Sequence, residues 1–159
     1  MKIFAVGMNY KEHNKELHEP LSKTTSPVIF IMPDSALSKD HKPFFIPDDL
    51  GVIEYETEVV VRICRLGKTI SSRFAHRYYD AVTVGIDFTA RELQQQLRAK
   101  GLPWELCKSF DGAATIGDWI DIDKFQDIQR LQFHLDVNGT TVQKGFTGDM
   151  FYKIDELIA

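Results

Sequence analysis

The chain has 159 residues, 43% hydrophobic and 26% charged, which suffices for one globular core and is too short for two, so a single domain over 1–159 is expected. A formal net charge of -4 and a pI near 5.7 exclude the basic footprint of a nucleic-acid or anionic-membrane binder. Two cysteines, Cys64 in a strand-like run and Cys107 in a loop-like stretch, are too few for a disulfide framework and lack zinc-ligand spacing, so both read as reduced thiols.

In chain order, Ile3 to Val6 reads as a short buried strand. The apolar run is too short for a signal peptide or a membrane span, so no membrane partner and a cytoplasmic location are expected. Asn9-Tyr10-Lys11-Glu12 offers an N-cap residue with Glu three positions on, predicting a short helix that stops near Pro20. Val28 to Ile31 is a second apolar strand, and Asp40 to Gly51, with Pro43 and Pro47, an irregular loop. From Ile53 to Ile63 the valine and isoleucine content predicts a strand, as does Tyr79 to Ile86.

Thr89 to Lys100 carries Leu93 and Leu97 one turn apart with Gly101 as the helix stop. Leu131, Phe133, Leu135 and Val137 alternate before Asn138-Gly139, a hairpin signal, and Thr141-Val142-Gln143 begins the return strand. Phe151, Ile154, Leu157 and Ile158 mark one face of a final helix that lacks a stop signal, so the sequence is expected to end inside an element. Strands dominate and helices are short, which predicts an α+β fold.

Glu54, Glu56 and Glu58 fall on one face of the Ile53–Ile63 strand, because side chains two apart point the same way. Three acids on one face repel one another, so either solvent on an edge strand or a cation must accompany them. Asp87 stands just ahead of the predicted helix, with Arg91 and Gln94 at i+4 and i+7 on its face. A plain helix-dipole carboxylate with an i,i+4 partner would give the same pattern. His13 and Glu16, three apart on the first helix, can pair as a general base or as an ordinary surface pair. Lys108 has no special local signal.

Taken in order, the stretches Val6–His13, Glu54–Val61, Gly85–Arg91 and Gly101–Asp111, followed by Val137-Asn138-Gly139, Gly145, Thr147 and Asp149-Met150, resemble the fumarylacetoacetate hydrolase family. The Gly101–Phe110 segment is similar to its acylpyruvate hydrolase and oxaloacetate decarboxylase branch. The resemblance implies a strand-rich mixed β-roll, usually paired as a homodimer. It implies Glu56, Glu58 and Asp87 as metal ligands with Glu54 outside the ligand set, Lys108 facing substrate, and His13 with Glu16 as a water-activating dyad. Arg91 and Gln94 would orient the substrate or brace the ligands. Three carboxylates suit hard Mg²⁺ or Mn²⁺.

The implied activity is metal-dependent C–C bond hydrolysis of a small 2,4-dioxo acid through a pyruvate enolate. Oxaloacetate decarboxylation and isomerisation of 2-hydroxyhepta-2,4-diene-1,7-dioate are enzymatic alternatives on the same site, and a metal-binding chain without turnover is the non-enzymatic one. Met32 stands where the family commonly has a lysine. The family also continues past the equivalent of Ala159 into a strand-rich segment with a Gly-Thr-Pro turn, so a C-terminal part of the site is expected to be missing.

Overall fold

A computed structural model describes residues 1–11, 15, 23, 25–38 and 42–159. The chain forms two compact units: Met1–Ala5, Ile29–Glu58 and Val84–Gly117 make one, and Val6–Val28, Val59–Thr83 and Asp118–Ala159 the other. Mixed sheets with few short helices make the fold class α+β.

Strands β1 (Ile3–Gly7) and β2 (Val28–Met32) pair as a two-stranded sheet. Along β2 the period of two puts Phe30 and Met32 into the core and leaves Ile29 and Ile31 exposed. Phe30, Met32, Ala36, Ala113 and Ala114 form one cluster of the first unit, backed by Ile3, Ala5, Trp104 and Phe110. Met32, only 3% exposed, is a core side chain.

The larger sheet runs β3 (Leu37–Ser38), β6 (Ala114–Ile116), β5 (Tyr79–Ala90), β4 (Ile53–Ile63). β3 is parallel to β6, and β6 is antiparallel to β5, with Asp87 opposite Ala114. β5 is longer than expected and carries Asp87 and Thr89 within the strand, where the sequence pattern had placed the approach to a helix. The pairing with Ala114 and a 2.7 Å bond from Phe88 N–H to the Ala113 carbonyl hold the backbone extended. Helix α1 therefore starts later, at Arg91, and runs Arg91–Ala99. Gly101 follows at φ +64, a left-handed position that favours glycine, as the sequence indicated. Cys107 lies in the short helix α2 (Glu105–Lys108), not in a loop. It is buried with Ala90 and Leu97 in a second cluster.

In the second unit, β7 (Ile120–Asp121) pairs antiparallel with the start of β5. β8 (Gln132–Val137) and β9 (Thr140–Phe146) form the expected hairpin, with Asn138 and Gly139 both at positive φ. Helix α3 is only Ile154–Ile158; Phe151 precedes it and donates its N–H to the Asn9 carbonyl. Ile154 and Ile158 pack with Tyr79, Val82 and Ile128. Lys153 N–H donates to Glu156 at 2.8 Å, closing the start of α3. Asn9, expected as a helix cap, commits its side chain elsewhere: Nδ2 donates to the Tyr152 carbonyl at 3.0 Å and Oδ1 accepts from Tyr152 N–H at 2.8 Å. Among the described residues no helix is long and apolar enough to cross a membrane.

Candidate functional site

The first unit gathers the carboxylates. β4 presents Glu54, Glu56 and Glu58 on one face, while Thr57 points away and its hydroxyl donates to the Gly85 carbonyl of β5 at 3.2 Å. From α1, Arg91 spreads its guanidinium over three acceptors: Nε donates to Glu54 at 2.6 Å, Nη2 to Glu56 at 2.8 Å and Nη1 to Gln94 Oε1 at 2.6 Å. Arg91 and Gln94 thus belong to one group with Glu54 and Glu56, as their spacing suggested, although Asp87 reaches it from a strand.

Lys108, projecting from α2, has a side chain only 4% exposed. Its ammonium donates to Asp87 Oδ2 at 2.6 Å and to Glu56 Oε2 at 3.3 Å, 5.8 Å from the Phe30 ring centroid. Both Glu56 oxygens are therefore engaged, one by each cation. Asp87 Oδ1 is buried and has no partner. The Lys108 ammonium stands between Glu56 and Asp87, and no three His, Cys, Asp or Glu side chains among the described residues converge as a ready metal-ligand group.

Electrostatics record the crowding. Burial, then the Asp87 and Glu56 carboxylates, push the Glu58 carboxyl up to about 8, against the opposing pull of Lys108. Burial likewise lifts Asp87 to about 6, although Lys108 pulls it down. Burial alone would lower Lys108, but Asp87 and Glu56 outweigh it and the ammonium is raised above its ordinary value. Four carboxyl groups thus face two cations, leaving an excess of negative charge.

His13 and Glu16 lie outside the described residues. The sequence reading missed Thr89, fully buried and two residues past Asp87. Assigning Thr89 to a helix hid the two-residue relation that would have found it. It also missed Phe30, whose contact with Lys108 joins residues far apart in the chain and leaves no local signal.

The family pattern "Fumarylacetoacetate (FAA) hydrolase C-terminal" matches residues 2–159. The chain belongs to the fumarylacetoacetate hydrolase family. It is 34% identical to an oxaloacetate tautomerase, YcgM of Escherichia coli (strain K12), over 99% of this chain and 72% of that protein. A crystal structure of a fumarylacetoacetate hydrolase family protein from Yersinia pestis CO92 superposes with a TM-score of 0.92 at 38% identity, over 99% of this chain and 71% of the other. A fumarylpyruvate hydrolase from Pseudomonas aeruginosa, solved in complex with Mn²⁺ and pyruvate, matches with a TM-score of 0.91 at 26% identity, over 99% of this chain and 69% of the other. The mixed sheets and short helices are the architecture of the fumarylacetoacetate hydrolase fold.

Proposed function

We propose that this chain is a divalent-metal enzyme that promotes enolisation of a small 2-oxo acid of the oxaloacetate type. The observation that carries this reading is the buried Lys108 ammonium gripped by Asp87 and Glu56, beside a buried Asp87 oxygen with no partner. A preorganised positive group in a nearly dry site is what a developing enolate oxygen needs. The likeness to an oxaloacetate tautomerase supports the same chemistry.

The donor set fits a hard cation: Glu56, Glu58 and Asp87 offer only oxygen, Asp87 Oδ1 has no hydrogen-bond partner, and a cation beside Glu58 would offset the burial and the repulsion that keep its carboxyl protonated. Mg²⁺ or Mn²⁺ held there would supply Lewis acidity toward the substrate's carboxylate and 2-oxo oxygens. Lys108, with two of its three N–H groups on Asp87 and Glu56, offers the third to the enolate oxygen as a hydrogen bond. Arg91, braced by Gln94, fixes Glu56 and leaves Glu54 as an outer partner. The His13–Glu16 pair is assigned the base that takes the proton from C3.

The second reading is hydrolysis of a 2,4-dioxo acid of the acylpyruvate type, favoured by the likeness to a fumarylpyruvate hydrolase. It uses the same enolate, with His13–Glu16 activating a water in place of taking the C3 proton. Decarboxylation of oxaloacetate would proceed through that enolate too. We assign the chain a homodimeric state, which sedimentation of the purified protein would check.

The deciding experiment supplies Mn²⁺ and follows two substrates. Enolic oxaloacetate should lose its ultraviolet absorbance faster than in Mn²⁺-containing buffer, while pyruvate release reports decarboxylation. Acetylpyruvate cleavage reports the hydrolase. Decay of enolic oxaloacetate at the buffer rate, with acetylpyruvate cleaved, would replace the first reading by the second. In that case His13→Ala should abolish the cleavage.

A further inference from the structure

Two buried side-chain oxygens on β5 have no hydrogen-bond partner: Asp87 Oδ1 and Thr89 Oγ1. They stand two residues apart, so they share one face of the strand, the face that carries Asp87 toward Lys108. Buried polar atoms in folded proteins are almost always paired, and two unpaired ones side by side point to a shared partner. Thr89 is fully buried, and no other role for its hydroxyl is visible. The comparable hydroxyl on β4, Thr57, already donates to Gly85.

Geometry selects how the two oxygens meet. Same-face residues on a strand have Cα atoms about 6.6 Å apart, too far for two short side chains to bond directly without leaning together. Two consecutive O–H···O bonds reach about 5.5 Å, so one intervening water spans the gap. We propose that Thr89 is a positioning residue for Asp87, its hydroxyl donating through one buried water to one lone pair of Asp87 Oδ1 and leaving the other for a cation. Lys108 already grips Oδ2 at 2.6 Å. With both oxygens restrained, the carboxylate cannot rotate about its terminal bond, and the branched Thr89 side chain, stiff at χ1, keeps the anchor still.

The tie between Thr89 and Asp87 is inferred from their two unpaired oxygens and their shared strand face, without reference to metal. Its consequence for metal rests on the reading of Asp87 as a ligand, where loss of an outer hydrogen-bond partner typically weakens affinity about tenfold or more. The test compares wild type, Thr89→Val and Thr89→Ser by thermal melting without metal and by calorimetric titration with Mn²⁺. Valine has the shape of threonine without the hydroxyl, whereas serine keeps the hydroxyl and loses the methyl. Thr89→Val should melt below both wild type and Thr89→Ser, and should bind Mn²⁺ about tenfold more weakly, with Thr89→Ser close to wild type in affinity. If Thr89→Val melts at or above wild type, the hydroxyl has no partner to lose and the proposal falls. It falls equally if the valine and serine variants lose the same amount, which would make the effect one of packing. Should wild type itself fail to bind Mn²⁺, the metal reading above is the part that fails, and the metal-free melting order alone decides the role of Thr89.

Discussion

At Lys108 a nearly dry ammonium balances Asp87 and Glu56. Lys108→Met keeps the length of the stem and removes the charge, leaving crowded carboxylates without their counter-charge. Removing one partner of a buried ion pair costs roughly 3–5 kcal/mol, and proton uptake by Asp87 moves the expected loss to the lower end, about 3 kcal/mol without metal. Mn²⁺ should recover more melting temperature in this variant than in wild type, and parallel melts with and without the ion check both halves. The Glu58 carboxyl adds a pH dependence whose sign is fixed. Its ordinary value is 4.5 and its value in the metal-free fold is about 8, so between the two the folded chain holds a proton that the unfolded chain has released. The contribution of Glu58 to metal-free stability is therefore full below 4.5 and is lost as pH climbs toward 8. Asp87, raised from 3.8 to about 6, acts in the same direction over a lower window. The melting gain from Mn²⁺ should consequently be larger at about pH 8.5 than at about pH 5, because the ion binds the ionised carboxylates. A gain that shrinks with rising pH would contradict the assignment.

Among the elements, the turn before α3 is tied to the start of the chain by Asn9, whose side chain meets both backbone groups of Tyr152. Asn9→Ala strips a buried donor and acceptor of their partners, each worth about 1 kcal/mol, so a loss of roughly 2 kcal/mol is expected in a urea titration. A loss below about 0.5 kcal/mol would show that water replaces the amide at no cost. Elements written in local periodicity were legible. The Ile53–Ile63 strand comes from its valine and isoleucine content, the Asn138-Gly139 hairpin and the Gly101 helix stop from alternation and turn chemistry, and the fold keeps them. What local pattern could not supply was long-range pairing. Asp87 was read as the entrance to a helix because Leu93 and Leu97 give a helical spacing, yet pairing with Ala114 keeps it in β5. Lys108 carried no local signal at all. It entered through the resemblance, and its contacts with Glu56 and Asp87 join segments that only the folded chain brings together. Asn9 fitted a cap pattern, but Tyr152 competes successfully for its amide.

For the whole molecule, the two thiols are unequal reporters. Cys64 is exposed, whereas Cys107 is buried, donates to the Trp104 carbonyl at 3.0 Å and has its thiol pushed up by burial. A thiol reagent should therefore modify Cys64 at once and Cys107 only as the first unit opens, giving one fast equivalent in native buffer and two in denaturant. If Asp87 is a ligand as proposed, Mn²⁺ should slow the second reaction, since a ligand for the folded state lowers the population of the open one. Equal rates at both cysteines would place Cys107 in a region that opens freely.

Small metallo-domains often lose their structure under a chelator, because the ion is the only thing holding their ligands together. This chain carries an internal substitute, the Lys108 ammonium between Glu56 and Asp87, at the position where the carboxylates most need a positive neighbour. Treatment with EDTA should leave its far-ultraviolet circular dichroism unchanged, and dialysis into Mn²⁺ should restore any lost turnover without a refolding step. The protein could then be synthesised under metal starvation, persist as a folded reserve, and be charged when the ion returns; collapse of the spectrum on chelation would rule that out.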